Sequence, residues 1–442
     1  MHEVDLVIRS SRVVTSAGES AASVVVKDGR IVAIAERSAT VAASEDLDLR
    51  DEVLMPGLVD SHVHIGEPGR TEFEGFATAT RAAAAGGVTT LLVMPIGSVP
   101  PTVDVAALEE KRRVAAGQCH VDVGFWGGAV AGNRAQLGPL FDAGVFGFKC
   151  FLTSQAAEFP PLLPAELHAV LNDLKAMGAL LVAHAEDEAV MAKVPRPNGS
   201  RYRDYLQSSP QQAETVAITR LVEGARLSGG RVHVVHLSAA AALPVIDAAR
   251  HDGVAITAET CPHYLSFSAE DIPDGATLFK CSPPVREDAN REALWRALAD
   301  GVVECIVSDH AACTAGEKHL DSGDFGAAWP GISSLQLGLS AVWTEASERG
   351  HALSDIARWM AEAPAQLVGL RRKGAIAVGN DADLVWFAPD ETFVVDPATL
   401  MHRNPITAYA GRQLKGLVRA TWLRGKRVGG NPAGRQLRRG EA

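Results

Sequence analysis

An α/β chain is predicted: a TIM-like (β/α)8 barrel carrying a small β-sandwich formed by the N- and C-terminal segments. Three observations predict it. Period-two strand patterns occupy both ends of the 442 residues. Between them, short Val- and Ile-rich runs alternate with Ala/Leu/Glu/Arg-rich stretches, the texture of parallel strands covered by helices. Eight such strand–helix units can be counted, the number that closes a barrel. The boundaries fall at 1–54 and 373–442 for the two parts of the sandwich and at 55–372 for the barrel.

The elements follow in order. Val4–Arg9, Ser23–Lys27 and Arg30–Ile34 alternate apolar and polar residues, and Asp28-Gly29 between the last two is a strong hairpin signal. Barrel strands are expected at Gly57–His64, Thr89–Met94, Val121–Phe125, Gly147–Leu152, Leu180–His184, Arg231–Leu237, Ala255–Thr260 and Glu304–Asp309. Ala82–Ala85 reads as a helix ending at Gly86-Gly87, just before the second of these strands. The polar, proline-bearing stretch 195–212 reads as an exposed loop between strands five and six. Asp383–Phe387 and Leu417–Leu423, with the turn Arg424-Gly425-Lys426, repeat the chemistry of the beginning. Short sheets need a partner to bury their apolar face, so one sandwich shared by both ends is the economical inference.

Composition narrows the function. Forty-two Lys and Arg against 53 Asp and Glu leave a net charge of −11, with no basic block. Nucleic acid and anionic membrane are therefore not expected as partners. No apolar run reaches the roughly 18 residues of a membrane span. The start, Met1–Asp5, lacks the pattern of a secretory signal, and the end, Arg439–Ala442, lacks a peroxisomal tripeptide. Six scattered cysteines without a C-x-x-C pair suit reduced, core-filling thiols. A cytoplasmic location is expected.

Metal-ligand residue types collect where the strands end. His62 and His64 stand two apart, so on a strand both imidazoles point to one face at the barrel mouth. Lys149, His184, His236 and Asp309 fall at the ends of strands four, five, six and eight, the face where such barrels place their chemistry. A lone H-x-H is more simply two satisfied polar residues, and a lone lysine a surface charge; their joint occurrence at successive strand ends reverses that reading. Four histidines and an aspartate suit Zn²⁺ first, with Mn²⁺, Co²⁺ or Ni²⁺ as alternatives. His233 stands an odd step from His236 and His310 follows Asp309, so both are expected to face away and to be structural. His263 lies near the mouth, open to substrate or loop.

The chain resembles the cyclic amidohydrolases, and among them the allantoinases most. Pro56-Gly57-Leu58-Val59-Asp60-Ser61-His62-Val63-His64 is similar to the superfamily's opening motif. Glu67–Phe76, Gly147-Phe148-Lys149-Cys150-Phe151-Leu152, Val235-His236-Leu237-Ser238, Ala258–Leu265, Phe279–Pro284, Ser308-Asp309-His310 and His402-Arg403-Asn404-Pro405 continue the likeness over essentially the whole chain. The resemblance implies one metal on His62, His64 and Asp309 and a second on His184 and His236. It also implies that Lys149, carboxylated by CO₂, bridges the two together with a hydroxide. An ammonium has no lone pair, whereas a carbamate is an anionic two-oxygen bridge.

The implied reaction is hydrolysis of a cyclic ureide, the hydantoin ring of allantoin, to allantoate, with Asp309 moving the proton from nucleophile to leaving nitrogen. The alternative is a hydantoinase or dihydropyrimidinase acting on another ring amide. Those relatives carry a tyrosine shortly after the strand-four lysine, whereas this chain reads Phe151-Leu152-Thr153-Ser154-Gln155. Dihydroorotase-like proteins place an arginine, and many allantoinases an asparagine, where Gly66 stands. Ser282, Gly66 and Ser333 are the expected substrate contacts, Ser282 as a ring-amide holder before Pro283-Pro284 or as part of a plain loop. Scaffold relatives typically lose metal ligands, whereas all six positions are kept here. Family analogy implies a homotetramer.

Overall fold

The computed structural model describes residues 4–154 and 156–441. Gln155, the first three residues and Ala442, which entered the readings of the strand-four segment and the two ends, lie outside the described residues. Eight parallel strands form the barrel: Leu58–Val63, Val88–Val93, Asp122–Phe125 continuing into Gly127–Gly128, Phe148–Phe151, Leu180–His184, Arg231–Val234, Ile256–Thr260 and Cys305–Ile306. Each lies within a residue of an expected run, except that the third extends three residues past Phe125 to Gly128. Their pairing is parallel and sequential, for example Thr90 with Asp122, Phe148 with Leu181, Val232 with Ile256 and Glu259 with Cys305. The ring closes where Val63 bridges to His310 and the His64 N–H donates to the His310 carbonyl at 2.9 Å. Near-continuous apolar strands are what a sheet buried on both faces requires, and six of the eight are buried at every position, the exceptions being Arg231–Val234 and Ile256–Thr260.

The first crossover helix, Phe76–Ala85, ends at Gly86, whose N–H reaches the Ala82 carbonyl at 3.0 Å. Gly86 is needed for a second reason: a Cβ there would lie 2.7 Å from the Leu335 carbonyl oxygen. The stretch 195–212 departs from the expected exposed loop. It contains the helix Tyr202–Gln207, and Tyr202 and Tyr205 are buried against Phe325. Their hydroxyls donate to the carbonyls of Val285 and Cys281, each at 2.6 Å. Polar and proline-rich composition conceals two aromatic anchors whose polar tips find buried acceptors.

Strands from both ends build one eight-stranded sheet. Val4–Thr15 is its centre, flanked by Gly18–Lys27 on one side and by Ala43–Asp48 and Val53–Pro56 on the other. Val53–Pro56 pairs in turn with Leu384–Val394, and that strand with Gln413–Leu423. Residues of both ends share an apolar cluster that includes Ile8, Val24, Leu54, Leu384 and Trp422, which gives the sheet its sandwich-like character. Ala43–Asp48 and Val53–Pro56 extend what the alternation alone suggested. All six cysteines are free and buried. No described helix is long and apolar enough to cross a membrane.

A buried charge cluster joins the sheet to the floor of the barrel. The Lys373 ammonium, 1% exposed, donates to Asp122 and Asp383 at 2.7 Å each and lies 3.1 Å from Asp381. Asp122 begins the third barrel strand, and Asp383 immediately precedes a strand of the terminal sheet. Burial alone would lower the lysine, but the three carboxylates hold its pKa well above the ordinary range. Lys373→Met should therefore cost roughly 3–5 kcal/mol, because it strands carboxylates in a dry interior. Urea denaturation reads this directly, and a loss below about 1 kcal/mol would show that the cluster is not the joint.

Candidate metal centre

The six residues expected to bind metal converge at the C-terminal ends of the strands. His62 Nε2 and His64 Nε2 lie 3.1 and 3.3 Å from the same oxygen, Asp309 Oδ1. His184 Nδ1 and His236 Nε2 are 3.0 Å apart, and the His62 and His236 rings are 5.4 Å apart. Lys149 opens into the same pocket as His64, His184, His236 and Asp309. His236 and Asp309 both adopt positive φ, 38° and 45°, a backbone conformation uncommon outside glycine and characteristic of functional sites.

Buried carboxylates set the orientation of these rings. His62 Nδ1 is 2.5 Å from Glu259 Oε1, and His184 Nε2 is 2.7 Å from Glu186 Oε2. Each neutral ring thus donates one N–H to a carboxylate and turns the lone pair of its other nitrogen inward, the arrangement that outer partners impose on metal-binding histidines. Glu259 also accepts from His233 Nε2 at 3.0 Å and from the His236 backbone N–H at 3.3 Å. Burial would raise the Glu259 pKa, but the nearby His62 and the hydrogen bonds from His233 and His62 hold it down to about 2. Burial likewise opposes ionisation of Asp309, yet His62, His64 and His236 pull it well below the carboxylate range. Asp60 accepts backbone N–H groups from His62 at 3.1 Å and Ser308 at 3.2 Å, and burial pushes it up to about 6.

The donor set fits a cation. A neutral His62 that gives Nδ1–H to Glu259 faces a carboxylate oxygen with a bare lone pair, a repulsive contact that a positive ion between them would make attractive. His62 Nε2 and His236 Nδ1 are both buried without a hydrogen-bond partner among the described residues, which in native proteins marks an ion, a water or a catalytic group. Lys149 is 1% exposed, lies 4.9 Å from the centre of the Phe151 ring, and donates no hydrogen bond among the described residues. Burial lowers its pKa to about 8, against the opposing charges of Asp309 and Glu259. Burial, with His184 and Lys149 close by, pushes His236 well below the ordinary histidine value, and burial also lowers His64.

The pocket over this centre has a volume of about 350 Å³. Gly66 and Ser282 line it. Ser333 does not; its carbonyl accepts from the Thr407 hydroxyl at 2.6 Å, while Pro330 and Gly331 of the same loop reach the wall. His233 touches Glu259 and Thr257 rather than the centre. His310 packs on His402 and faces Glu74. His263 is fully buried against Tyr264, with neither ring nitrogen bonded among the described residues, and burial lowers it to about 4. Sequence reasoning did not single out Glu259, Glu186, Asp60, Arg70 or Glu158. Glu259 and Asp60 stand inside the quoted motifs, and acidic residues in such apolar strands are themselves a signal.

The amidohydrolase family model matches residues 53–428. The allantoinase of Streptomyces avermitilis is 54% identical over 97% of this chain and 96% of that protein. The mitochondrial allantoinase of Aquarana catesbeiana is 43% identical over 82% of this chain and 76% of that protein. Among solved structures, the L-hydantoinase (dihydropyrimidinase) of Arthrobacter aurescens superposes with a TM-score of 0.93 at 29% identity, covering 99% of this chain and all of that one. If Glu259 orients His62, Glu259→Gln should retain the fold but release metal to a chelator at about 10- to 100-fold lower chelator concentration. Unchanged metal retention in that variant would refute the assignment.

Proposed function

The chain belongs to the amidohydrolase family, and from that premise we propose that it hydrolyses the five-membered ring of allantoin to allantoate. The observation that carries this reading is the pocket lined by His64, Lys149, His184, His236 and Asp309, with His62 against Asp309 beneath it, in a chain related over nearly its whole length to allantoinases. His62, His64 and Asp309 would hold one divalent ion, zinc by ligand type, and His184 and His236 a second. Bound ions supply polarisation of a carbonyl oxygen and a water acidic enough to attack near neutral pH.

Lys149 suits the bridging role. A pKa lowered to about 8 leaves more neutral amine near pH 7 than an ordinary lysine has. That amine would attack CO₂: an N–C bond would form, a proton would leave to solvent, and the product would be an anionic carbamate with two oxygens to offer the metal ions. An intact-mass measurement under native conditions should show one added CO₂, lost on acidification. Its absence from active protein would remove the bridge from the mechanism.

Asp309 carries the proton. Held ionised by the surrounding histidines, it accepts a proton from the attacking water as the carbon–oxygen bond forms. It returns that proton to the ring nitrogen as the carbon–nitrogen bond breaks, so no net charge is left on the enzyme. The apolar walls at Phe73, Ile96, Phe151 and Trp329 keep bulk water from competing with this transfer.

A cytoplasmic homotetramer is the assembly and location we infer from the family analogy; sedimentation and fractionation test it. For the reaction, turnover of allantoin, hydantoin, dihydrouracil and dihydroorotate is compared in the presence of divalent metal and bicarbonate. Allantoin should give the highest kcat/KM, and preference for another ring would overturn the substrate while leaving the chemistry. Asp309→Asn should lose roughly 10²- to 10⁴-fold in turnover with most metal retained; full activity would exclude Asp309 as the proton carrier.

A further inference from the structure

The pocket wall carries one charged pair that neither the metal centre nor the proton transfer uses. Among the described residues lining the pocket, Arg70 and Glu158 are the only charged side chains outside the centre itself. Arg70 Nη2 donates to Glu158 Oε1 at 2.9 Å, with 28% and 32% of the two side chains exposed. The guanidinium lies 5.8 Å from the centre of the Trp329 ring, and Phe73 meets Trp329 edge-on at 5.2 Å.

Gly66 explains how Arg70 comes to be there. Past His64 the chain curls, with Gly66 N–H bonded to the Glu74 carbonyl at 3.0 Å and Arg70 N–H bonded to the Gly66 carbonyl at 2.8 Å. A Cβ on Gly66 would lie 2.3 Å from the Arg70 carbonyl oxygen, so no side chain fits at 66 with the loop in this position.

We propose that Arg70 and Glu158 clamp the ureido side group of the substrate and thereby select a ureido-substituted ring over a bare one. This rests on the reading of the site as an allantoin hydrolase. A ureido group offers one carbonyl acceptor and N–H donors on two nitrogens. An arginine has five N–H donors, of which Glu158 engages one, and an ionised glutamate is an acceptor with two oxygens. Guanidinium to carbonyl and carboxylate to N–H is a complete donor–acceptor match, and both bonds are charge-assisted. In allantoin the ureido group is carried by the carbon next to the ring carbonyl under attack, so fixing it orients that carbonyl over the centre. The partly exposed ion pair keeps both side chains near their binding positions, and pairs of this kind are weak enough to open for a ligand.

The test compares allantoin with hydantoin, which has the same ring and no ureido group, in the metal-loaded full-length protein. Arg70→Met should lower kcat/KM for allantoin about 30- to 100-fold and for hydantoin no more than about three-fold. Glu158→Gln, which keeps the shape and one acceptor oxygen, should lower the allantoin preference about five-fold. If hydantoin is opened too slowly, its competitive inhibition constant against allantoin serves instead. Equal losses on both rings, or an unchanged preference in both variants, would overturn the proposal. Should Arg70→Met fail to fold, Glu158→Gln alone decides between these outcomes. Wild-type protein inactive on allantoin in the same assay would instead remove the functional reading on which the clamp depends.

Discussion

One buried carboxylate holds the mouth of the barrel in order. Glu259 stands on the seventh strand and accepts from His62 on the first, from His233 on the sixth and from the backbone of His236 just beyond the sixth. Burying an ionised carboxylate is costly unless its oxygens are satisfied, and here they receive three donors. The same contacts turn His62 so that its second nitrogen faces Asp309 across the barrel. Asp60 acts in parallel at the closing seam, where its carboxylate receives N–H groups from strand one and from the segment after strand eight. The inward-facing histidines are therefore positioned by acids that do not themselves enter the pocket.

That organisation separates two tasks. Orientation is assigned to residues that are 0–1% exposed, such as Glu259, Glu186 and His233, whereas the residues that line the pocket lie at the strand ends and on the loops above them. The positive φ values of His236 and Asp309 sit at the boundary between the two, where the backbone leaves the strand and turns its side chains inward. Such conformations persist only when neighbouring structure over-determines them, and the hydrogen-bonded acids beneath supply that constraint.

Much of this was legible in the sequence. Parallel barrel strands are short apolar runs between helices, so their positions follow from composition, and a strand's two-residue period places His62 and His64 on one face. Less legible were the features that depend on partners distant in the chain. Glu259 finds His62 across 197 positions and Arg70 finds Glu158 across 88, and no local pattern encodes either pair. Local pattern was misleading for 195–212, where prolines and polar residues suggested exposure but Tyr202 and Tyr205 anchor the segment inside. Ser333 shows the same limit on a smaller scale: two residues beyond Gly331, it turns its carbonyl to Thr407 instead of lining the pocket.

The terminal sheet bears on how the molecule is made. Val53–Pro56 and Leu384–Val394 are neighbours in that sheet, yet nearly the whole barrel is synthesised between them. On the ribosome, the early strands emerge long before their partner and keep an open hydrogen-bonding edge while the barrel is translated. Pairing strands so far apart in sequence is a non-local step, slow compared with the local contacts that form first. Completion of the sheet is thus a late event in biosynthesis, and nascent chains spend their longest waiting period with an adhesive strand exposed to their neighbours on the same message.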